Sequence, residues 1–140
     1  MRNKPELIQG GVFEDERGRL DFVNGFDMDS IKRFYFSVNN SVHFFRAWQG
    51  HRIESRWFLC VSGAFEVKLI KVDNWEIPSS DLVPDKYVLR AEDPQILFIP
   101  PGYVNGFQAL EENSKLMILS NYELGVNTND DIRYYNTYWK

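Results

Sequence analysis

Apolar residues in this chain come in short runs rich in Val, Ile, Phe, Tyr and Trp, each closed off by Gly, Pro, Asn or Asp. That pattern predicts many short β-strands, and helical periodicity is hard to find anywhere along it. In SIKRFYFSV, Ile31, Arg33, Tyr35 and Ser37 alternate with Lys32, Phe34, Phe36 and Val38, which gives a strand one polar and one greasy face. In AFEVKLIKV, Phe65, Val67 and Leu69 oppose Glu66 and Lys68, as expected of a strand with one face on a core and one in water. The runs RWFLCV, QILFIP and KLMILSN are apolar on both faces and read as interior strands of a sandwich or barrel.

Turn chemistry agrees with this reading. ERGR, VSGA and PPGY place Gly18, Gly63 and Gly102 where a reversal needs positive φ or a close approach. The polar segment from Asp73 to Tyr87 is broken twice by Pro and reads as a strand end followed by a surface loop. The tail NTNDDIRYYNTYW is the one candidate for a short C-terminal helix or an arm, and its aromatics need something to pack on, either their own barrel or a partner chain. There are no internal repeats and no low-complexity stretch.

Composition narrows the classes. A chain of 140 residues fits one domain spanning 1–140, and 44% hydrophobic, 16% aromatic and 26% charged residues describe a globular protein. A net charge of −4 with no basic run argues against nucleic acid as a partner. Cys60 stands alone inside WFLCVSG and reads as a small core hydrophobe rather than a catalytic thiol. MRNKPELIQGG lacks an apolar leader core, and no window approaches ~18 consecutive apolar residues, so neither signal peptide nor membrane span is expected and a cytoplasmic location is.

The ordered set DERGRL, IKRFYF, FRAWQGH, VSGAFEV, ILFIPPGYVNGF and LMILSNYE…DDIRYYNTYW resembles the small cupin (double-stranded β-helix) isomerases of deoxysugar biosynthesis. The nearest group is the dTDP-sugar 3,4-ketoisomerases, with the dTDP-4-dehydrorhamnose 3,5-epimerases behind them. The resemblance implies an all-β, jelly-roll cupin barrel, a homodimer, no cofactor, and a nucleotide-linked sugar as substrate. Asp15, Arg17, Gly18 and Leu20 match the family's D-x-R-G-x-L opening, and Arg33 and Tyr35 match its KR-x-Y strand. Arg46 heads the histidine motif R-G-F-H-x-H-K, which here reads Arg46, Ala47, Trp48, Gln49, Gly50, His51, Arg52. The second histidine is kept and the first is Gln49; the histidine of the later P-x-G-x-x-H-G-F segment is Asn105.

Moving a keto group between neighbouring sugar carbons needs a base for a carbon-bound proton and an acid for the enolate oxygen. Imidazole suits the base because its pKa lies near neutrality. Gln and Asn can orient a hydroxyl but cannot titrate, so only His51 remains for proton transfer. On a regular strand Gln49 and His51 share a face. The expected catalytic residues are therefore His51 and Tyr35, with Arg17, Arg33, Arg46, Gln49 and Asn105 binding substrate, the arginines near the diphosphate. Each has a plain alternative: a satisfied rim histidine for His51, ion pairing for Arg33 and Arg46, a wall aromatic for Tyr35. His43 reads as an exposed loop residue.

The same fold often holds a divalent metal, but the corresponding positions offer Gln49, His51, Glu54 and Asn105, a single good ligand, so no metal is expected. Two functions follow. One is a metal-free isomerase or epimerase of a dTDP-4-keto-6-deoxyhexose. The other is a catalytically silent paralogue that binds such a sugar or partners an active isomerase, favoured by the replacements at 49 and 105.

Overall fold

The three runs apolar on both faces are the three central strands of a single sheet. In the computed structural model, which describes residues 3–39 and 41–139, the described residues form β1 (Glu6–Gln9), β2 (Gly11–Asp15), β3 (Gly18–Phe22), β4 (Arg33–Asn39), β5 (Phe45–His51) and β6 (Arg56–Ser62). There follow β7 (Ala64–Lys71), β8 (Asp85–Arg90), β9 (Gln95–Ile99), β10 (Tyr103–Ala109), β11 (Ser114–Ser120) and β12 (Ile132–Arg133). One five-stranded antiparallel sheet has the order β1-β9-β6-β11-β4, a second has the order β12-β5-β10-β7-β8, and β2 and β3 form a separate hairpin. The chain is all-β, as its pattern predicts.

The main core lies between the sheets. Phe58, Leu97, Leu116 and Ile118 of the first sheet meet Phe65, Val67, Leu69, Leu89 and Phe107 of the second. β6, β9 and β11 are apolar on the reverse face too because that face is also covered: Trp57, Ile96, Phe98 and Leu119 lie under Val23, Phe26 and Ile31. A third cluster, Trp48, Ile70, Val104 and Trp139, seals the outer face of the second sheet with Trp75, Tyr134 and Tyr138 packed against it. Cys60 is a buried member of the main core, and burial pushes its thiol up to about 11, so it stays protonated and inert at neutral pH.

Gly63 sits at φ +72°, and a Cβ there would come within 2.1 Å of Ser114 Oγ, so the β6–β7 turn requires glycine on both conformational and steric grounds. Gly18 and Gly102 also take positive φ, as their turn motifs predict.

The tail departs from the helical option. It makes one 3-10 turn, Thr128–Asp130, and then enters the second sheet as β12, paired with β5 through Ile132↔Gly50 and Arg133↔Gln49. Thr, Asn and Asp compete for backbone groups and are poor helix interiors. The extended path also lets Tyr134 donate to Trp75 O (2.5 Å) and Trp139 Nε1 donate to Ser79 O (2.8 Å), which fastens the 73–84 loop. Tyr134, Tyr138 and Trp139 thus pack on their own chain, whereas Tyr135 is exposed.

Candidate active site

A cleft of about 940 Å³ is lined by both sheets, with β5 and β10 forming its floor and β4 and β6 one wall. It is within the size range of small-molecule sites. Antiparallel pairing puts Asn105 opposite Gln49 and Tyr103 opposite His51, so Gln49, His51 and Asn105 converge on one sheet face. All three line the cleft.

His51 is buried, and its Nδ1 donates to the main-chain carbonyl of Asp130 at 2.7 Å. A carbonyl oxygen only accepts, so Nδ1 carries the proton and Nε2 of the neutral ring keeps its lone pair. Nε2 is buried and has no hydrogen-bond partner among the described residues. Burial holds the imidazole below its ordinary 6.5, and the Arg56 guanidinium pushes the same way against the weaker pull of Glu54 and Asp130. The ring is therefore neutral at pH 7. Asp130 holds more than the ring: its buried carboxylate accepts the amides of Arg52 (2.6 Å), Ile53 (3.1 Å) and Glu54 (2.9 Å), the turn that leads from β5 to β6.

The two amide side chains have defined orientations. Gln49 Nε2 donates to Asp131 Oδ1 at 3.0 Å, and Arg133 grips the same carboxylate at 3.0 and 3.2 Å. Burial raises the Asp131 carboxyl, but Arg133 and Gln49 outweigh it and hold the group below its usual range. Asn105 Nδ2 donates to the Gln49 carbonyl at 3.1 Å, beside the bulge at Asn105/Gly106. Each NH₂ group thus commits one N–H inside the protein and keeps its second.

The facing wall is ionic. Glu54 and Arg56, both buried, form a direct pair, Arg33 Nη2 lies 3.5 Å from the same Glu54 oxygen, and Arg56 Nη1 donates to the Tyr35 hydroxyl at 2.5 Å. The Tyr35 oxygen accepts from Arg56, so its own proton faces away from the guanidinium. Both arginines also lie over the Tyr35 ring, at 5.6 and 5.8 Å from its centroid. Buried charges persist only when paired, and Glu54 is matched by two cations.

Of the predicted residues, His51, Tyr35, Arg33, Arg46, Gln49 and Asn105 come together around the cleft. Arg46 has no ion-pair partner among the described residues, whereas Arg33 is engaged with Glu54 and donates to Tyr122 O at 3.1 Å. Arg17 stands apart: it sits on the β2–β3 turn, its side chain 80% exposed, paired with Asp15 at 2.6 Å and outside the cleft. Sequence reasoning missed Arg56, Asp130 and Asp131, and weighed Glu54 only as a metal ligand. Glu54 and Arg56 stand two apart where β6 begins, a same-face pair that could have been read as an ion pair. Nothing local marks Asp130, whose partners lie more than 70 positions away.

Comparison with known proteins bears on the same residues. The family model FdtA: WxcM-like, C-terminal, matches residues 3–140. The chain belongs to the FdtA, WxcM-like C-terminal family. No curated protein matches the sequence. Among solved structures, this FdtA-family chain resembles a 3,4-ketoisomerase from Helicobacter canadensis at TM-score 0.72 and 18% identity, over 98% of this chain and 96% of that one. It resembles a histidine-to-asparagine mutant of the QdtA 3,4-ketoisomerase from Thermoanaerobacterium thermosaccharolyticum, in complex with TDP-4-keto-6-deoxyglucose, at TM-score 0.72 and 21% identity, over 99% and 93% of the two chains. The Mycobacterium tuberculosis rmlC epimerase gives TM-score 0.75 at 19% identity, over 95% and 70%. These likenesses establish the shared fold, the one the sequence resemblance implies.

Proposed function

We infer that this protein isomerises or epimerises a nucleotide-linked 4-keto-6-deoxyhexose by metal-free proton transfer. The observation that carries the reading is His51: a buried, neutral imidazole with Nδ1 tied to Asp130 and an unpartnered Nε2 on the cleft. That is the state a general base needs. Family membership and neighbours whose names give them as 3,4-ketoisomerases and an epimerase supply the substrate class.

On this reading the ketone oxygen faces Tyr35, whose hydroxyl is polarised by Arg56. His51 Nε2 takes the proton from the carbon beside the ketone, and Tyr35 protonates the ketone oxygen, giving an enediol. The neighbouring hydroxyl then releases its proton, which restores Tyr35, while His51 returns its own proton to the former ketone carbon. Ketone and hydroxyl exchange places with no oxidant, reductant or cofactor. Arg46, without an ion-pair partner among the described residues, is suited to the diphosphate.

A second reading, a sugar-binding partner without turnover, draws on Gln49 and Asn105 standing where the family motif has histidines. Incubation with dTDP-4-keto-6-deoxyglucose, followed by NMR at the keto position, separates the two. His51→Ala should remove turnover, by ~10²–10⁴ in rate, with affinity kept within a few fold. Arg46→Ala should weaken binding by roughly 1.5–3 kcal/mol. Binding that depends on Arg46 without any turnover in the wild type would favour the silent paralogue.

The homodimer is also part of this proposal. The β2–β3 hairpin exposes Phe13 and Leu20, and the edge strand β4 exposes Phe34, Phe36 and Val38. Only a second copy could bring Arg17 to a cleft, since its own chain holds it away from one.

A further inference from the structure

The dipeptide Asn-Gly occurs twice in the chain, as Asn24–Gly25 and as Asn105–Gly106, and the fold treats the two pairs in opposite ways. An asparagine followed by glycine is open to attack from its own main chain, because no Cβ on the next residue shields the nitrogen. Asn105–Gly106 lies inside β10, where Asn105 is 4% exposed and its Nδ2 donates to the Gln49 carbonyl. Gly106 is held between Ala47 and Lys68 in the sheet, and a Cβ there would come within 2.6 Å of the side chains of Ala47 and Phe45. Packing requires that glycine and fixes the pair as strand. Asn24–Gly25 is instead the exposed turn that follows β3. Neither the Asn24 side chain nor the Gly25 N–H has a hydrogen-bond partner among the described residues. A Cβ on Gly25 would meet only Ile8, at 3.9 Å, and Gly25 does not take positive φ, so this turn accommodates alanine.

We propose that Asn24 is a site of spontaneous deamidation, at which the Gly25 main-chain nitrogen attacks Asn24 Cγ and the side chain becomes an aspartate or isoaspartate. The N–Cγ bond forms as the Cγ–Nδ2 bond breaks, and the amide leaves as ammonia with the proton of the Gly25 nitrogen. Water then opens the cyclic imide at either carbonyl, and it is the only co-reactant. Asparagine is thermolabile, and an exposed turn tip has the freedom to reach the geometry of attack. In β10 the same attack would first have to break the strand ladder and the Asn105 bond to Gln49, so the amide on the cleft is kept. The consequence at Asn24 is local. Val23 and Phe26 flank the turn and cover the outer face of the first sheet, with Phe26 edge-on to Trp57 at 6.2 Å between ring centroids. An isoaspartate lengthens the main chain between them by a carbon atom. Either product adds a negative charge between Asp21 and Asp27, on a chain whose net charge is already −4. Both changes loosen the cover over Trp57.

Incubation of the folded protein in mildly alkaline buffer, followed by tryptic mass mapping with the changed residue located by fragmentation, tests this. Asn24 falls in the fragment Leu20–Lys32 and Asn105 in the fragment Ala91–Lys115. Leu20–Lys32 should gain the mass of an amide-to-acid conversion and become a substrate for an isoaspartyl methyltransferase. Asn105 should stay intact until urea unfolds the chain, when both sites convert. Gly25→Ala should slow conversion of Asn24 several-fold in the folded protein. Conversion of Asn105 in the folded protein as fast as Asn24, or an unaltered rate at Asn24 in Gly25→Ala, would overturn the site. Wild type aged until Asn24 is converted should unfold at a lower urea concentration than fresh protein, whereas aged Gly25→Ala should match its fresh form. An unchanged urea midpoint in fully converted wild type would overturn the loosening over Trp57.

Discussion

Asp130 serves His51 through two different groups, its carbonyl on the ring and its carboxylate on the turn that follows. Removing the carboxylate in Asp130→Ala leaves the amides of Arg52, Ile53 and Glu54 unanswered, at roughly 1–3 kcal/mol for each that water cannot reach. Urea unfolding should record that loss. Nitrogen NMR of His51 should show the Nδ1–H form in the wild type, the tautomer that its bond to the main-chain carbonyl of Asp130 requires. The lowered pKa of His51 has two further consequences. The acid limb of kcat/KM should have its midpoint below 6.5, and a midpoint at or above that value would remove His51 from the base role. Because the unfolded chain takes up this proton more readily than the folded one, the contribution to stability is present above 6.5 and is lost as pH falls below it. At this scale, the meeting of His51, Gln49 and Asn105 in one cleft was legible from two short segments, FRAWQGH and PPGYVNGF, and the family they resemble. Asp130 was not, because its role depends on groups that meet it only in the folded chain, 79 positions away for His51.

Among the elements, alternation reported faces well but not which face looks where. β7 behaves as its pattern implies, with Phe65, Val67 and Leu69 fully buried. β4 is the instructive case: Arg33 and Tyr35 of its polar face line the cleft, while Phe34, Phe36 and Val38 are left 57%, 48% and 52% exposed, although Phe36 and Val38 also border the cleft. An inner wall built from ion pairs reverses the usual rule that polar residues face solvent. The wall built from β4 and β6 makes a further prediction. Arg56→Met should destabilise the fold by about 3–5 kcal/mol by leaving the Glu54 carboxylate buried with only the more distant Arg33. Glu54→Gln added to it should recover most of that loss, which urea unfolding of both variants would measure.

For the whole molecule, the all-β class and the central sheet were legible because strands covered on both faces carry few polar positions along their middle. The path of the tail was not, since Thr, Asn and Asp exclude a helix without indicating a destination. Light scattering at micromolar concentration should give a dimer mass, as the exposed apolar side chains of the hairpin and of β4 imply. A monomer mass would leave Arg17 with no route to a cleft. The pairing of β12 with β5 also bears on how the protein is made. A chain leaving the ribosome exposes β5 long before β10 or β12 exists to flank it. Until Asp130 emerges, the His51 ring lacks its carbonyl partner and the amides of Arg52, Ile53 and Glu54 lack their carboxylate. Synthesis therefore completes the core before it completes the chemistry, and a nascent chain halted short of Asp130 should resist protease in β6 and β7 while the turn from Arg52 to Glu54 remains open to cleavage.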